Sequence, residues 1–231
     1  MRFHVKITEF KCENSQEEIA ILHHRLKSIE YLTKLIETKQ AEFVFKSEDL
    51  RTTLLVINAE TFEEADRTLK ADPLFPYSRL TVTPVTTTAE MVEEAQDYLG
   101  EQILSPAEIA HLVPPPVEID DNQTYIFAVK TQAAFNPLVT KKEYDEILRK
   151  TLRSQRLHAD QKEIADYNPV GIPDGYLYLQ ISSIEEARSH VAKAEIYPYT
   201  IVDIQKIFTI KQASEISFNR LNELQEKVKV L

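Results

Sequence analysis

The chain has 231 residues, 43% apolar and 28% charged, with a formal net charge of −10 at pH 7. That length suits two compact domains or one large one, and the composition is that of a folded globular protein. The acidic balance excludes a general nucleic-acid binder, whose phosphate contacts need clustered Lys and Arg, and the single cysteine, Cys12, excludes an intramolecular disulfide or a thiolate metal cage.

Arg2 to Thr8 alternates apolar and polar residues and predicts a strand. Ser15-x-x-Glu18 reads as a capping box, after which Ile19, Leu22, Leu26, Ile29, Leu32 and Ile36 recur at helical spacing. Glu42 to Phe45 and Thr52 to Ile57 read as strands around a polar turn at 47–49, and a short helix starts at Thr61. In "DPLFPYSRLTV", residues 72–82, Pro73 and Pro76 flank Leu74 and Phe75. Proline fixes φ and removes a donor, so this stretch reads as a rigid hinge that delivers Tyr77 and Arg79 onto a closing strand over 77–85. The order is β-α-β-β-α-β, the ferredoxin-like unit. Ala89 to Gly100 then reads as a helix, and "VPPPVEIDDN", residues 113–122, as a stiff linker.

The second half repeats the first. "FHVKIT" from Phe3 corresponds to "FAVKTQ" from Phe127 at an offset of 124. "TFEEADRTL" from Thr61 corresponds to "SIEEARSHV" from Ser183, and "LFPYSRLTV" from Leu74 to "IYPYTIVDI" from Ile196, both at 122. Matches in one order with a two-residue length difference predict a tandem duplication. Strands are expected over 125–130, from Tyr176 and from Tyr199, with helices from Thr140, from Ser183 and over 213–230. The irregular "RLHADQKEIADYNPVGIPDG", residues 156–175, leaves the second strand of this half unplaced.

A ferredoxin-like sheet carries helices on one face only, so its other face needs cover. The expected fold is therefore α+β: two ferredoxin-like β-α-β-β-α-β repeats forming an intramolecular dimeric α/β barrel. The expected organisation is a first repeat with C-terminal helices over 1–112, the proline-rich linker over 113–122, and a second, diverged repeat with a terminal helix over 123–231. Only three glycines occur, at 100, 171 and 175, which excludes glycine-rich nucleotide loops. No apolar run approaches the ~20 residues of a membrane span, and "MRFHVKITEF" lacks a secretory apolar core, so a cytoplasmic protein without membrane contact is expected.

Strand alternation places Phe3, Val5 and Ile7 under the helices and leaves His4 and Lys6 on the opposite face, with Tyr77 and Arg79 from the closing strand. These four make a cationic, hydrogen-bonding surface suited to a small anionic molecule. His4 is the candidate acid or base and Tyr77 its catalytic partner, while Lys6, Arg79 and Arg51 are candidates for substrate binding. The bland alternative is a wet polar face between sheets. His23 and His24 are adjacent on a helix, point about 100° apart, and read as a solvated face and not a metal pair. No metal and no cofactor is expected.

"MRFHVKIT" and "DPLFPYSRLTV" resemble muconolactone Δ-isomerase, over residues 1 to about 86 and more weakly through "FAVK" and "IYPY". The resemblance implies a cofactor-independent isomerase that shifts a double bond by proton transfer on a small carboxylated lactone or related anion. It also implies a glutamate on the first helix, with tyrosine and asparagine on the third strand. Glu30 lies near the first position, and Arg51 and Thr53 stand at the others. The alternative is a non-catalytic small-molecule-binding or assembly protein that keeps the barrel. A haem or quinol monooxygenase on the same barrel is a third reading, for which no residue here selects a cofactor. A chain with its partner sheet fused in is expected to be a monomer or small homo-oligomer.

Overall fold

The computed structural model describes residues 1–112, 126–134, 140–154, 163–170, 174–194 and 197–229. The linker expected over 113–122 lies outside them. The described residues form a mixed α+β fold of eight strands, paired antiparallel, and seven helices. They group into two compact units: 1–84 together with 207–231, and 85–206.

The first unit contains β1 (Arg2–Glu9), α1 (Ser15–Glu37), β2 (Ala41–Ser47), β3 (Thr52–Asn58), α2 (Phe62–Lys70) and most of β4 (Ser78–Thr87). β3 is central, pairing β1 with His4 opposite Val56 and β2 with Phe45 opposite Leu54. The inward-alternating residues Phe3, Val5 and Ile7 are buried with Leu32 and Leu35 of α1 and Ala65 and Leu69 of α2, as the period-two pattern requires. Ala41 and Val44 join the same core although they stand three apart, because a register shift between Ala41 and Phe43 adds a residue. The α1 cap sits one residue earlier than Ser15. Asn14 accepts from Glu17 N, and Glu17 accepts from Glu13 N, so the acid that closes the turn is Glu17. α7 (Ile210–Lys229) packs Leu221 and Leu224 on Leu22, and Ala213 on Ile29 and Leu50.

The second unit contains the end of β4, α3 (Thr88–Leu99), α4 (Pro106–Ala110), β5 (Ile126–Ala133), α5 (Lys141–Ser154), β6 (Glu163–Pro169), β7 (Gly175–Gln180), α6 (Ile184–Val191) and most of β8 (Thr200–Thr209). β7 is central, between β5 and β6, and the end of β4 continues the sheet with Val85 opposite Pro169. The unplaced second strand is thus β6. It too carries a register shift, between Glu163 and Ala165. Phe127, Val129, Leu179, Ala187 and Val191 form one core, and Val92, Leu104, Ile109 and Leu152 another beneath α3, α4 and α5.

The proline hinge is an Asx turn leading into a 3-10 turn. Asp72 accepts from Leu74 N through Oδ1 and from Phe75 N through its carbonyl, and Leu74 O accepts from Tyr77 N. Pro76 sits inside the 3-10 turn, where no amide donor is required of it. Tyr77 O then accepts from Phe10 N at 2.9 Å. The second unit has the same ending, a 3-10 turn over Tyr197–Tyr199 with Tyr199 O accepting from Ala134 N at 2.7 Å.

Candidate functional site

The residues singled out from sequence differ in their exposure. His4 is buried at 4% exposure, whereas Lys6, one step along the same face, is exposed, as is Arg79. Tyr77 is 36% exposed and its ring lies 4.5 Å from that of His24. Arg51 Nη2 donates to Glu9 O at 2.9 Å and so ties β1 to the β2–β3 turn. His23 is exposed, and among the described residues no group of three or more His, Cys, Asp or Glu could hold a metal ion.

What the first unit buries is a charge network under α1. Arg25 grips Glu9 with both Nε and Nη2, the latter 2.6 Å from Oε2, and Lys46 Nζ donates to Glu9 Oε1 at 2.9 Å. Burial drives the Lys46 ammonium below its usual range, with Arg25 adding to that and Glu9 opposing it. Ser28 Oγ donates to Asp72, whose carboxyl burial pushes up despite this bond and the one from Leu74 N. Glu9 and Lys46 are almost wholly buried, and their bonds with Arg25 tie β1, α1 and β2 together.

The second unit holds a cavity of about 510 Å³ between the sheet and α3, α5 and α6. Its walls are largely apolar, from Met91 and Ala95 of α3, Leu148 of α5, Leu177 of β7 and Val191 of α6, with Tyr98 and Tyr144 beside them. The sheet side presents Glu163, Asp166 and Asn168. In a regular strand residues three apart face opposite ways, but the β6 bulge turns Glu163 and Asp166 to one side. At an offset of 122 these two acids occupy the places of Ala41 and Val44, which fill the first unit's core. The first unit thus carries two apolar core residues at these positions, where the second carries two carboxylic acids on a cavity wall.

The acids are not equivalent. Glu163 Oε1 lies 2.7 Å from His190 Nε2, and His190 is 4% exposed. Asp166 Oδ2 accepts from Thr88 Oγ1 at 2.6 Å, and Thr88 in turn accepts from Asn168 Nδ2 at 3.2 Å. Burial raises the Asp166 carboxyl from 3.8 to about 7, with the Glu163 charge adding to it and the Thr88 bond and His190 opposing. Asp166 keeps partial accessibility, and that accessibility is to the cavity. An acid that exchanges its proton near neutrality, in an apolar chamber, is suited to general acid–base work. Gly175 completes the floor, since a Cβ there would come within 2.7 Å of Thr131 Oγ1 on the paired strand. Sequence reasoning missed all of these acids, because they lie on the one strand it left unplaced; carrying the 122 offset through residues 41–46 would have set Glu163 and Asp166 on it.

No family model matches the chain, and no curated protein matches it. The likeness is structural. A mutant of chlorite dismutase from Candidatus Nitrospira defluvii matches at a TM-score of 0.54 and 10% identity, covering 94% of each chain. The imidazole complex of the same enzyme matches at a TM-score of 0.54 and 9% identity, again over 94% of each chain. At that identity the likeness is one of fold.

This corrects the resemblance to muconolactone Δ-isomerase and the lactone-isomerase activity it implied, and the non-catalytic alternative gains no support either. The physical reason is visible in the motif residues. Phe3 and Val5 fill a core and the Leu-Phe-Pro-Tyr stretch forms a turn, so they encode an α+β unit and not an activity. The positions implied for the isomerase site are structural here: Glu30 is exposed, Arg51 braces a turn, and Thr53 is buried opposite Ile7.

Proposed function

We propose that the second unit takes a small, largely apolar organic molecule into its chamber and exchanges a proton with it through Asp166. The observation that carries this is a carboxyl group open to an apolar-walled cavity of about 510 Å³, fixed by Thr88 on one oxygen only. Thr88 and Asn168 hold the carboxyl in place, the Glu163–His190 pair sets the field around it, and Met91, Leu148 and Val191 exclude water. Haem, the cofactor of one reading weighed from sequence, needs an axial ligand and an apolar slab. The one imidazole among the described lining residues has Nε2 on Glu163, and carboxylic acids stand on the sheet side, so this lining does not fit a haem and no step runs through one. Chlorite chemistry is not carried over at 10% identity.

The test is a thermal-shift screen of hydroxylated and aminated aromatic molecules on the whole chain. Hits are expected to vanish in Leu148→Trp, which fills the chamber, and proton release or uptake on binding to vanish in Asp166→Asn. Hits that survive Leu148→Trp would contradict the reading.

The same reading makes the chain a tandem duplication, with repeats over 1–112 and 123–231 joined by 113–122, and with the two ferredoxin-like sheets closing one α/β barrel. Its support is the recurrence of contacts at the sequence offset. Thr61 caps α2 through Glu64 N as Ser183 caps α6 through Glu186 N, and Thr87 boxes with Glu90 as Thr209 does with Gln212. A cytoplasmic monomer or small homo-oligomer is part of this reading. No described helix is long and apolar enough to cross a membrane.

A second reading concerns the first unit: a small anion held by Lys6, Arg79 and Arg51, with His4 and Tyr77 as the reacting groups. The exposure of Lys6 and Arg79 favours it, since both cations reach solvent. Arg79→Ala is expected to weaken binding of a small carboxylate by ~1.5–3 kcal/mol, the range for a hydrogen bond to a charged group. Calorimetry with no change on that substitution would remove the reading.

A further inference from the structure

We propose that the second-unit chamber is built for an organic monocation, a primary amine on an apolar body, with Asp166 Oδ1 as the seat of the ammonium group. This rests on the chamber being a ligand site and adds the sign of the ligand's charge. Among the described residues the lining carries four carboxylic acids, Glu94, Glu163, Asp166 and Asp174, and neither Lys nor Arg. Its one basic side chain, His190, is directed at Glu163. Acids alone would define nothing, but here they line a largely apolar cavity, and one carboxyl is incompletely matched. Asp166 lines the cavity; its Oδ2 takes the Thr88 hydroxyl, and no donor among the described residues reaches Oδ1. An ammonium supplies N–H donors to that oxygen in a charge-assisted bond, while the apolar body takes the Met91, Leu148 and Val191 walls. A carboxylate ligand meets those four acids there with neither Lys nor Arg to pair with among the described lining residues. This reverses the sign of ligand expected from the first unit's Lys and Arg.

Binding a cation draws the proton off Asp166, so affinity rises with pH. The groups facing Asp166 are Glu163 on its own strand, His190 on α6, the Thr88 hydroxyl and Glu94 on α3, Tyr144 on α5, and Asp174 before β7. Loss of a proton from any acid or imidazole among them acts in the same direction, because each change makes the chamber more negative.

The experiment is calorimetry on the full chain with three isosteres, benzylamine, benzyl alcohol and benzoate, at pH 6 and pH 8. At pH 8 benzylamine is expected to bind about tenfold or more tighter than benzyl alcohol, the factor a charge-assisted bond supplies, and benzoate not at all. At pH 6 the amine is expected to weaken several-fold with the alcohol unchanged. Asp166→Asn, which keeps the carboxamide oxygen for Thr88, is expected to bring amine and alcohol to similar affinity. Leu148→Trp is expected to abolish both. If the alcohol binds wild type as tightly as the amine, or the amine preference survives Asp166→Asn, the charge assignment is overturned and the chamber stands. If none of the three binds, or binding survives Leu148→Trp, both are overturned.

Discussion

Asp166 and Glu163 line the second unit's cavity, and at an offset of 122 the first unit has Val44 and Ala41 in its core. Their cost is readable in stability. The folded Asp166 carboxyl titrates at about 7, above the ~3.9 of an unfolded aspartate. Between those values the folded chain binds one more proton than the unfolded chain. Stability therefore falls as pH rises through this window, by at most ~1.4 kcal/mol per unit, and the whole penalty is present above pH 7. Asp72, also raised, contributes a slope of the same sign. Asp166→Asn should flatten the Asp166 part, leaving the variant more stable than wild type at pH 8 and the two close at pH 4. Parallel melting curves across that range would contradict this. At this scale the sequence was least legible. Alternation told which face His4 and Lys6 share, but which positions on that face meet water depends on what packs there, and His4 is buried where Lys6 is not. On β6 the apolar alternation is confined to Ala165, Tyr167 and Pro169, and the bulge after Glu163 breaks the period of two, so the signal is short.

Elements were far more legible, because their signals are local. The β1 alternation, the α1 periodicity and the hinge all form where their residues dictate. The cap of α1 slipped by one since Asn14 and Ser15 are both competent, and the acid three residues on from Asn14, Glu17, decides between them. Arg25 and Lys46 gave no such signal, because their partner Glu9 lies on another element. Removing that partner leaves two buried cations together. Glu9→Gln is expected to cost about 3–5 kcal/mol in urea unfolding, and Lys46→Met much less, since Arg25 keeps its bond. Equal costs would show that the network is not organised on Glu9. On α7 the Ser217 hydroxyl is buried without a hydrogen-bond partner among the described residues. Ser217→Ala should stabilise the chain by about 1 kcal/mol, removing an unmet donor and gaining helix propensity. A lower midpoint for the alanine variant would mean that the hydroxyl has a partner in solution.

Across the whole chain, the α+β class followed from the order of strand and helix patterns, whereas the two compact units are not continuous stretches of sequence. α3 follows the first closing strand yet lies in the unit of 85–206, and α7 follows the second yet lies with 1–84. Sequence periodicity identifies a helix and its apolar face but not which sheet receives it. The family resemblance failed for a related reason: short strand and hinge motifs specify geometry that many activities share. The most direct check of the central claim is an infrared pH titration of the carboxyl band, comparing wild type with Asp166→Asn. The account predicts one protonated carboxyl that persists to about pH 7 in wild type and is missing from the variant. A wild-type band already lost by about pH 5, where ordinary carboxylic acids have ionised, would contradict the assignment of Asp166 as the proton-exchanging group of the chamber.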